Sequence, residues 1–236
     1  MKKLALAVLL LAGSMNYSIA HNDAASKNEK LTDQYLGVQL NDLIRQVFNF
    51  NNNTTSFNNN PYLLVYSVNS RKNGWGARIG VGYNYNSSSS SDGITSTDTK
   101  INDLHLRIGV EKLIKLADKW SAGAGFDLVY NNNDDHTVAT VGGSSTGGFP
   151  VVTDTKTTIQ SYGGGPAAFL RYHITDRIQV GTEASFYYVT GHQNQAITVS
   201  DPNNFGSNPT PPTNADNTVG QGTFSSPVVF FLTVKF

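Results

Sequence analysis

The sequence predicts an all-β chain, an eight-stranded antiparallel up-and-down transmembrane β-barrel with short turns at one end and long loops at the other. Three observations predict it. Segments of about ten residues alternate apolar side chains with small or polar ones, as membrane strands with two unlike faces must. The connections between those segments are alternately short and long. Charged residues make up only 14% of the chain against 39% hydrophobic ones, where soluble domains carry about 25% charge.

The elements follow in order. Lys2 and Lys3 precede an apolar run from Leu4 to Ala12, and Ser18-Ile19-Ala20 puts small residues where a signal peptidase cuts. Residues 1–20 therefore read as an export signal cleaved before His21, because a spanning helix needs about 20 apolar residues. Residues 21–34 are polar and aperiodic, a flexible periplasmic lead-in, and 35–236 form the barrel domain.

Within that domain, Tyr35 to Asn41 alternates and then shifts register over Asp42 to Phe48, as at a bulge. Tyr62 to Asn69 is a second strand whose two faces start out equally apolar. The third is the clearest. Trp75, Ala77, Ile79, Val81, Tyr83 and Tyr85 share one face, and Gly76, Arg78, Gly80, Gly82 and Asn84 the other. The fourth sets Leu104, Leu106, Ile108 and Val110 against Asp103, His105, Arg107, Gly109 and Glu111. The fifth sets Trp120, Phe126, Leu128 and Tyr130 against Ser121, Gly123, Gly125 and Asp127.

In the sixth, Tyr162, Leu170 and Tyr172 oppose Ser161, Phe169, Arg171 and His173. In the seventh, Ile178, Val180, Phe186 and Tyr188 oppose Gln179, Glu183 and Tyr187. The eighth carries Phe230, Leu232, Val234 and Phe236 on one side and Lys235 on the other. Short turns fall near 70–73, 113–119 and 175–176, and long loops at about 49–60, 87–99, 131–157 and 191–222.

The polar faces decide between a soluble sandwich and a membrane barrel. A soluble exterior has no need of so many glycines. A narrow interior does, because glycine makes room while opposite charges satisfy one another. Arg78, Asp103, His105, Arg107, Glu111, Asp127, Arg171, His173, Glu183 and Lys235 are the candidate interior charge network. Trp75, Trp120, Tyr83, Tyr85, Tyr130, Tyr172 and Tyr188 are the candidate aromatic girdle. From Trp75 to Tyr85 a tilted strand covers about 20–25 Å of membrane normal, the height of an apolar band between two girdles.

Together the export signal, the eight alternating segments, the short-turn and long-loop rhythm and Phe236 resemble the small OmpA/OmpX-type outer-membrane β-barrels over nearly all of 35–236. The Phe-Leu-Arg-Tyr stretch at 169–172 before a Thr-Asp turn is similar to that group as well. The resemblance implies a location in the bacterial outer membrane among phospholipid and lipopolysaccharide. It also implies that Phe230, Leu232, Val234 and Phe236 form a signal read by the barrel-assembly machinery. It implies no activity and no cofactor.

The chemistry left in the sequence is sparse. With Lys2 and Lys3 removed, 17 basic residues become 15 against 17 acidic ones, a balance of −2 that offers nothing to nucleic acid. There is no cysteine. An acyl-transfer enzyme acting on lipid would need serine, histidine and carboxylate together on the lipid side. His105 and His173 instead share the inward face. Asp134-Asp135-His136 reads as a solvated loop tip, since contiguous residues rarely converge on one metal ion.

Eight strands leave an interior only wide enough for side chains, which argues against a channel. Gly163-Gly164-Gly165 precedes no helix and reads as a device for keeping the barrel narrow. Polar loops, Ser87 to Ser91 and Asn208 to Pro212 among them, suit a hydrated surface or an extracellular ligand. Arg71, Lys72, Lys112, Lys115 and Lys119 crowd the short-turn end, where headgroups would lie. The expected role is a non-enzymatic envelope or surface-binding barrel, with a lipid-modifying enzyme and a small channel as alternatives.

Overall fold

The computed structural model describes residues 31–40, 60–142, 149–201, 213–225 and 229–236. The expected export signal, the register shift over Asp42 to Phe48 and the Asn208 to Pro212 stretch lie outside the described residues. The described chain is all β: β1 (Thr32–Gln39), β2 (Leu64–Ser70), β3 (Trp75–Ser91), β4 (Thr95–Ala117), β5 (Trp120–Val141), β6 (Val151–His173), β7 (Ile178–Ser200), β8 (Thr213–Ser225) and β9 (Phe230–Lys235).

Every consecutive pair from β1 to β7 is antiparallel. β7 then divides its free edge. Ile178 to Thr182 pairs with β9, and Ser185 to Ile197 pairs with β8. β9 also pairs with β1, Tyr35 opposite Lys235, so the hydrogen-bonded ring is closed. β8 and β9 thus share one position, and nine strands fill eight places. The sequence between them contains Pro227, which has no amide hydrogen to give a ladder.

Tight turns join the strands at one end. Arg71 to Gly74 links β2 to β3, with the Gly74 amide donating to Ser70 O (2.8 Å) and Gly74 O accepting from Leu113 (2.9 Å). Gly74 has φ +71°, and a Cβ there would stand 2.2 Å from Leu113 O, so both conformation and space demand glycine. Asp118-Lys119 links β4 to β5. Between β6 and β7, the Ile178 amide donates to Thr175 Oγ1 (3.0 Å).

The alternation sorts itself in the reverse of a soluble core. Ile108 and Leu128 are 57% and 60% exposed, whereas Arg107 and Asp127 are 2% and 0% exposed. Ile79, Val110, Phe126 and Phe186 join the exposed apolar belt, and Arg78, Glu111 and Glu183 the buried interior. The inward faces of the first two strands also settle: Tyr35, Gly37 and Gln39 on β1, Ser67 and Asn69 on β2.

Three of the expected long loops need correction. Residues 87–91 and 95–99 are paired strand, Ser87 opposite Lys100, turning at Asp92 to Ile94. Residues 131–141 and 151–157 continue β5 and β6, and 191–200 continues β7 against β8. These stretches lack apolar alternation because both of their faces are polar, and the ladder begun below them simply runs on. β1 likewise starts at Thr32, ahead of the expected Tyr35.

Candidate functional site

The ring interior is layered. In the middle layer β3, β4, β5, β6 and β7 all supply charges, β4 two of them. Arg78 holds Asp127 with two nitrogens, Nε at 2.7 Å, and reaches Glu183 with the third (3.0 Å). Arg107 grips both oxygens of Glu183, one at 3.1 Å, and donates to Tyr187 Oη (3.2 Å), whose hydroxyl in turn donates to Asp127. Glu111 lies 4.0 Å from Arg78 and 3.6 Å from Arg171. Three guanidiniums therefore face three carboxylates, so the buried charge is neutralised locally, as low-dielectric surroundings require.

Glycines on neighbouring strands make this packing possible. A Cβ on Gly80 would stand 2.4 Å from Arg107 Nε, one on Gly109 2.1 Å from Asp127 Oδ1, and one on Gly123 2.3 Å from the Phe169 ring. Aromatic faces cover the guanidiniums. Tyr62 lies 4.3 Å from Arg107, and Phe169 lies 4.5 Å from Arg171 and 5.7 Å from Arg78. A cavity of about 30 Å³ between Phe169, Arg171 and Glu183 has the room of a single water.

Away from the short turns, Tyr62, Val129 and Tyr187 form an apolar plug with Val65 and Val189 packed on it. Beyond that plug lies an uncharged-rich polar layer. Asp103 accepts from Asn84 (3.2 Å) and Asn133, His105 Nδ1 bonds Asn131 Oδ1 (2.8 Å), and Asn131 donates to Ser161 Oγ (3.3 Å).

At the short-turn end, Asp33 stands between Arg71 (2.6 Å) and Lys235 (2.7 Å). His173 meets Ser121 Oγ at 3.0 Å and the Gln179 amide at 3.3 Å.

Of the ten expected interior residues, the structure brings Arg78, Arg107, Glu111, Asp127, Arg171 and Glu183 into one network. Asp103 and His105 belong to the layer beyond the plug, and His173 and Lys235 to the short-turn end. No alternation in the sequence marks Asp33, which lies in the polar stretch ahead of Tyr35, or Tyr62, at the doubly apolar head of its run. Tyr187, Phe169, Ser121 and Gln179 carried the signal of the inward parity but no charge to draw notice.

The aromatic residues divide by level. Trp75, Trp120 and Tyr172 lie near the short turns, with Trp120 and Tyr172 4.9 Å apart between ring centroids and Lys112 Nζ 5.4 Å from the Trp75 ring. Tyr83, Tyr85, Tyr130 and Tyr188 form the opposite row, exposed, and Tyr162 joins them. Phe230 and Val234 are exposed on β9, and the Phe236 amide donates to Gln34 O (3.0 Å).

Asp134-Asp135-His136 is not a loop tip; it lies within β5, where neighbouring side chains point to opposite faces. His136 bonds Asp154 across to β6 (3.0 Å) and Asp135 accepts from Thr137 (3.1 Å). Among the described residues no group of three or more His, Cys, Asp or Glu is placed to hold a metal ion. Among the described residues the Ser121–His173 pair comes nearest to a nucleophile beside its base. Ser121 is buried, and the histidine's other nitrogen faces an amide instead of a carboxylate.

No protein-family model matches the chain, and no curated protein matches it. Among solved structures, the crystal structure of Acinetobacter baumannii CarO is similar at 11% identity, over 90% of this chain and 99% of that one, with a TM-score of 0.33. A likeness that remote carries neither fold nor function across.

Proposed function

We propose that this chain is an integral outer-membrane β-barrel without enzymatic activity, serving the envelope or presenting a binding surface to the exterior. One observation carries the reading. The ring wears its aliphatic residues outside and its arginines and carboxylates inside, an arrangement stable only where hydrocarbon replaces water around it. Lipid contacts the belt between the Trp75–Trp120 row and the tyrosine row, and closure of the ladder pairs the described strand backbone along that belt except where β6 and β7 skip Gly165 and Pro166. In this reading β9 supplies the assembly-machinery signal, the short turns face the periplasm and lipopolysaccharide surrounds the tyrosine end.

β4, β6 and β7 each run 23 residues. At about 3.3 Å per residue and a tilt near 40°, such a strand rises about 55–60 Å, roughly twice an apolar band of ~25 Å. The surplus is sheet that stands clear of the membrane, so an outside ligand would meet a raised, polar β-wall. A small channel finds little support in an interior closed by six paired charges and an apolar plug.

The lack of cysteine makes the test direct. Single cysteines at Ile108 and Leu128, spin-labelled in bilayers, should collide with oxygen dissolved in lipid, and those at Ser89 and Asn194 with a water-borne nickel chelate. Water-borne collisions at all four would refute a membrane span. Shortening the β3–β4 and β5–β6 hairpins beyond the tyrosine row should abolish surface binding while the ring stays folded.

A further inference from the structure

The short-turn mouth of the ring is a cup of about 630 Å³, the size of a small-molecule site. Arg71, Lys72, Lys112, Lys115 and Lys235 line it. Only Asp33 and Asp118 oppose them among its lining carboxylates. Asp33 is already shared by Arg71 and Lys235, and Asp118 is paired with Lys115 at 3.2 Å. Two carboxylates cannot neutralise five cations, and a concave wall of one sign concentrates counter-ions.

A second observation is independent of charge. Asn69 lines the same cup, is 2% exposed, and among the described residues neither its amide nitrogen nor its amide oxygen has a hydrogen-bond partner. A buried amide with neither atom satisfied is destabilising unless something completes it. Lys112 sits on the rim, its ammonium against the exposed Trp75 ring.

We propose that this cup binds a phosphate-bearing anion, with the lysines supplying charge and Asn69 donating a hydrogen bond at its floor. Lysine ammoniums serve phosphate as point charges, and a multiply charged oxyanion gains most from several of them at once. A soluble phosphate compound and the headgroup of an anionic phospholipid share this chemistry. The site requires only the folded ring and does not depend on the membrane reading above.

Pyrophosphate is a suitable probe, titrated into the full chain in uncharged detergent. In a Trp120→Phe variant the remaining Trp75 reports on the rim, and calorimetry gives a second, label-free isotherm. Saturable binding is expected, weakening about tenfold or more in Lys72→Ala/Lys115→Ala, since each removes a positive charge within a few ångströms of the anion. Both lysines lie on the surface, so their loss leaves the fold intact.

Nanodiscs then separate the sources. A pyrophosphate response present in phosphatidylcholine but lost in phosphatidylglycerol assigns the cup to lipid phosphate; a response in both assigns it to a soluble one. Failure to saturate by about 10 mM, weaker than any useful affinity, or equal binding by the double variant, overturns the proposal.

Discussion

The ring contains two regions built on one ladder. Between its tryptophan and tyrosine rows the wall is apolar outside and charged inside. Beyond the tyrosines the same strands continue with polar side chains on both faces, from Ser87 to Ser91 on β3 and from Asn131 to Thr140 on β5. Among the described residues β3 to β8 pair without a break in the outer region, where the described parts of β1, β2 and β9 do not reach, while in the inner region the β6–β7 ladder skips Gly165 and Pro166. The side chains therefore do not create the sheet in the outer region; they only tell water where it is admitted. In the inner region they also determine which way the sheet faces, since a one-residue slip would turn Arg107 to the exposed side and Ile108 into the ring.

The largest blow to the inner region is Arg107→Ala, which leaves Glu183 and Asp127 to share the single guanidinium of Arg78. A loss of about 3–5 kcal/mol is expected in urea unfolding followed by tryptophan emission. Replacing Arg107 and Glu183 together by methionine should recover part of that loss. If the single change proves harmless, the charge layer is not what holds the lumen.

A sharper contrast comes next. Leu128→Arg and Asn194→Arg both alter exposed positions. In bilayers the first should lose about 2–4 kcal/mol and the second less than about 0.5. Equal effects would erase the distinction between the regions.

Glycine gives a smaller one. Gly109→Val drives methyls into Asp127 and should destabilise by about 1–3 kcal/mol. At Gly220 the nearest atom to a new Cβ is Tyr188 Oη at 3.3 Å, so Gly220→Ala should change stability by less than about 0.5 kcal/mol.

The smallest effect lies at the β3–β4 tip. Asp92 accepts backbone N–H bonds from Ile94 (2.9 Å) and Thr95 (2.6 Å), which hold its carboxyl below the usual range. Its folded pKa is lowered, so the local order it confers is present at neutral pH and lost as pH falls through that lowered value. Amide exchange at Ile94 and Thr95 should quicken there, and in Asp92→Ala at every pH, while global unfolding is unmoved.

How much of this was legible beforehand follows the same division. Where one face met charge and the other did not, alternation gave the parity of Arg78, Asp127 and Glu183 directly. It stops at the tyrosines, because wet faces need no pattern, and strand there reads as loop from the sequence alone. β8 was missed for that reason, its sequence from Thr213 to Ser225 holding little but polar and small residues. Tyr62 escapes because it heads a run whose two faces are equally apolar, and Asp33 because it precedes the alternating run and meets Lys235 only across the β1–β9 seam.

Tyr35 pairs with Lys235 across the whole intervening chain. No growing fragment, however long, possesses that seam, so until β9 arrives each partial product is a ribbon with two raw margins. Whatever accompanies the polypeptide before then must shield those margins, and the final commitment to the folded state is a single stitching event made by six residues.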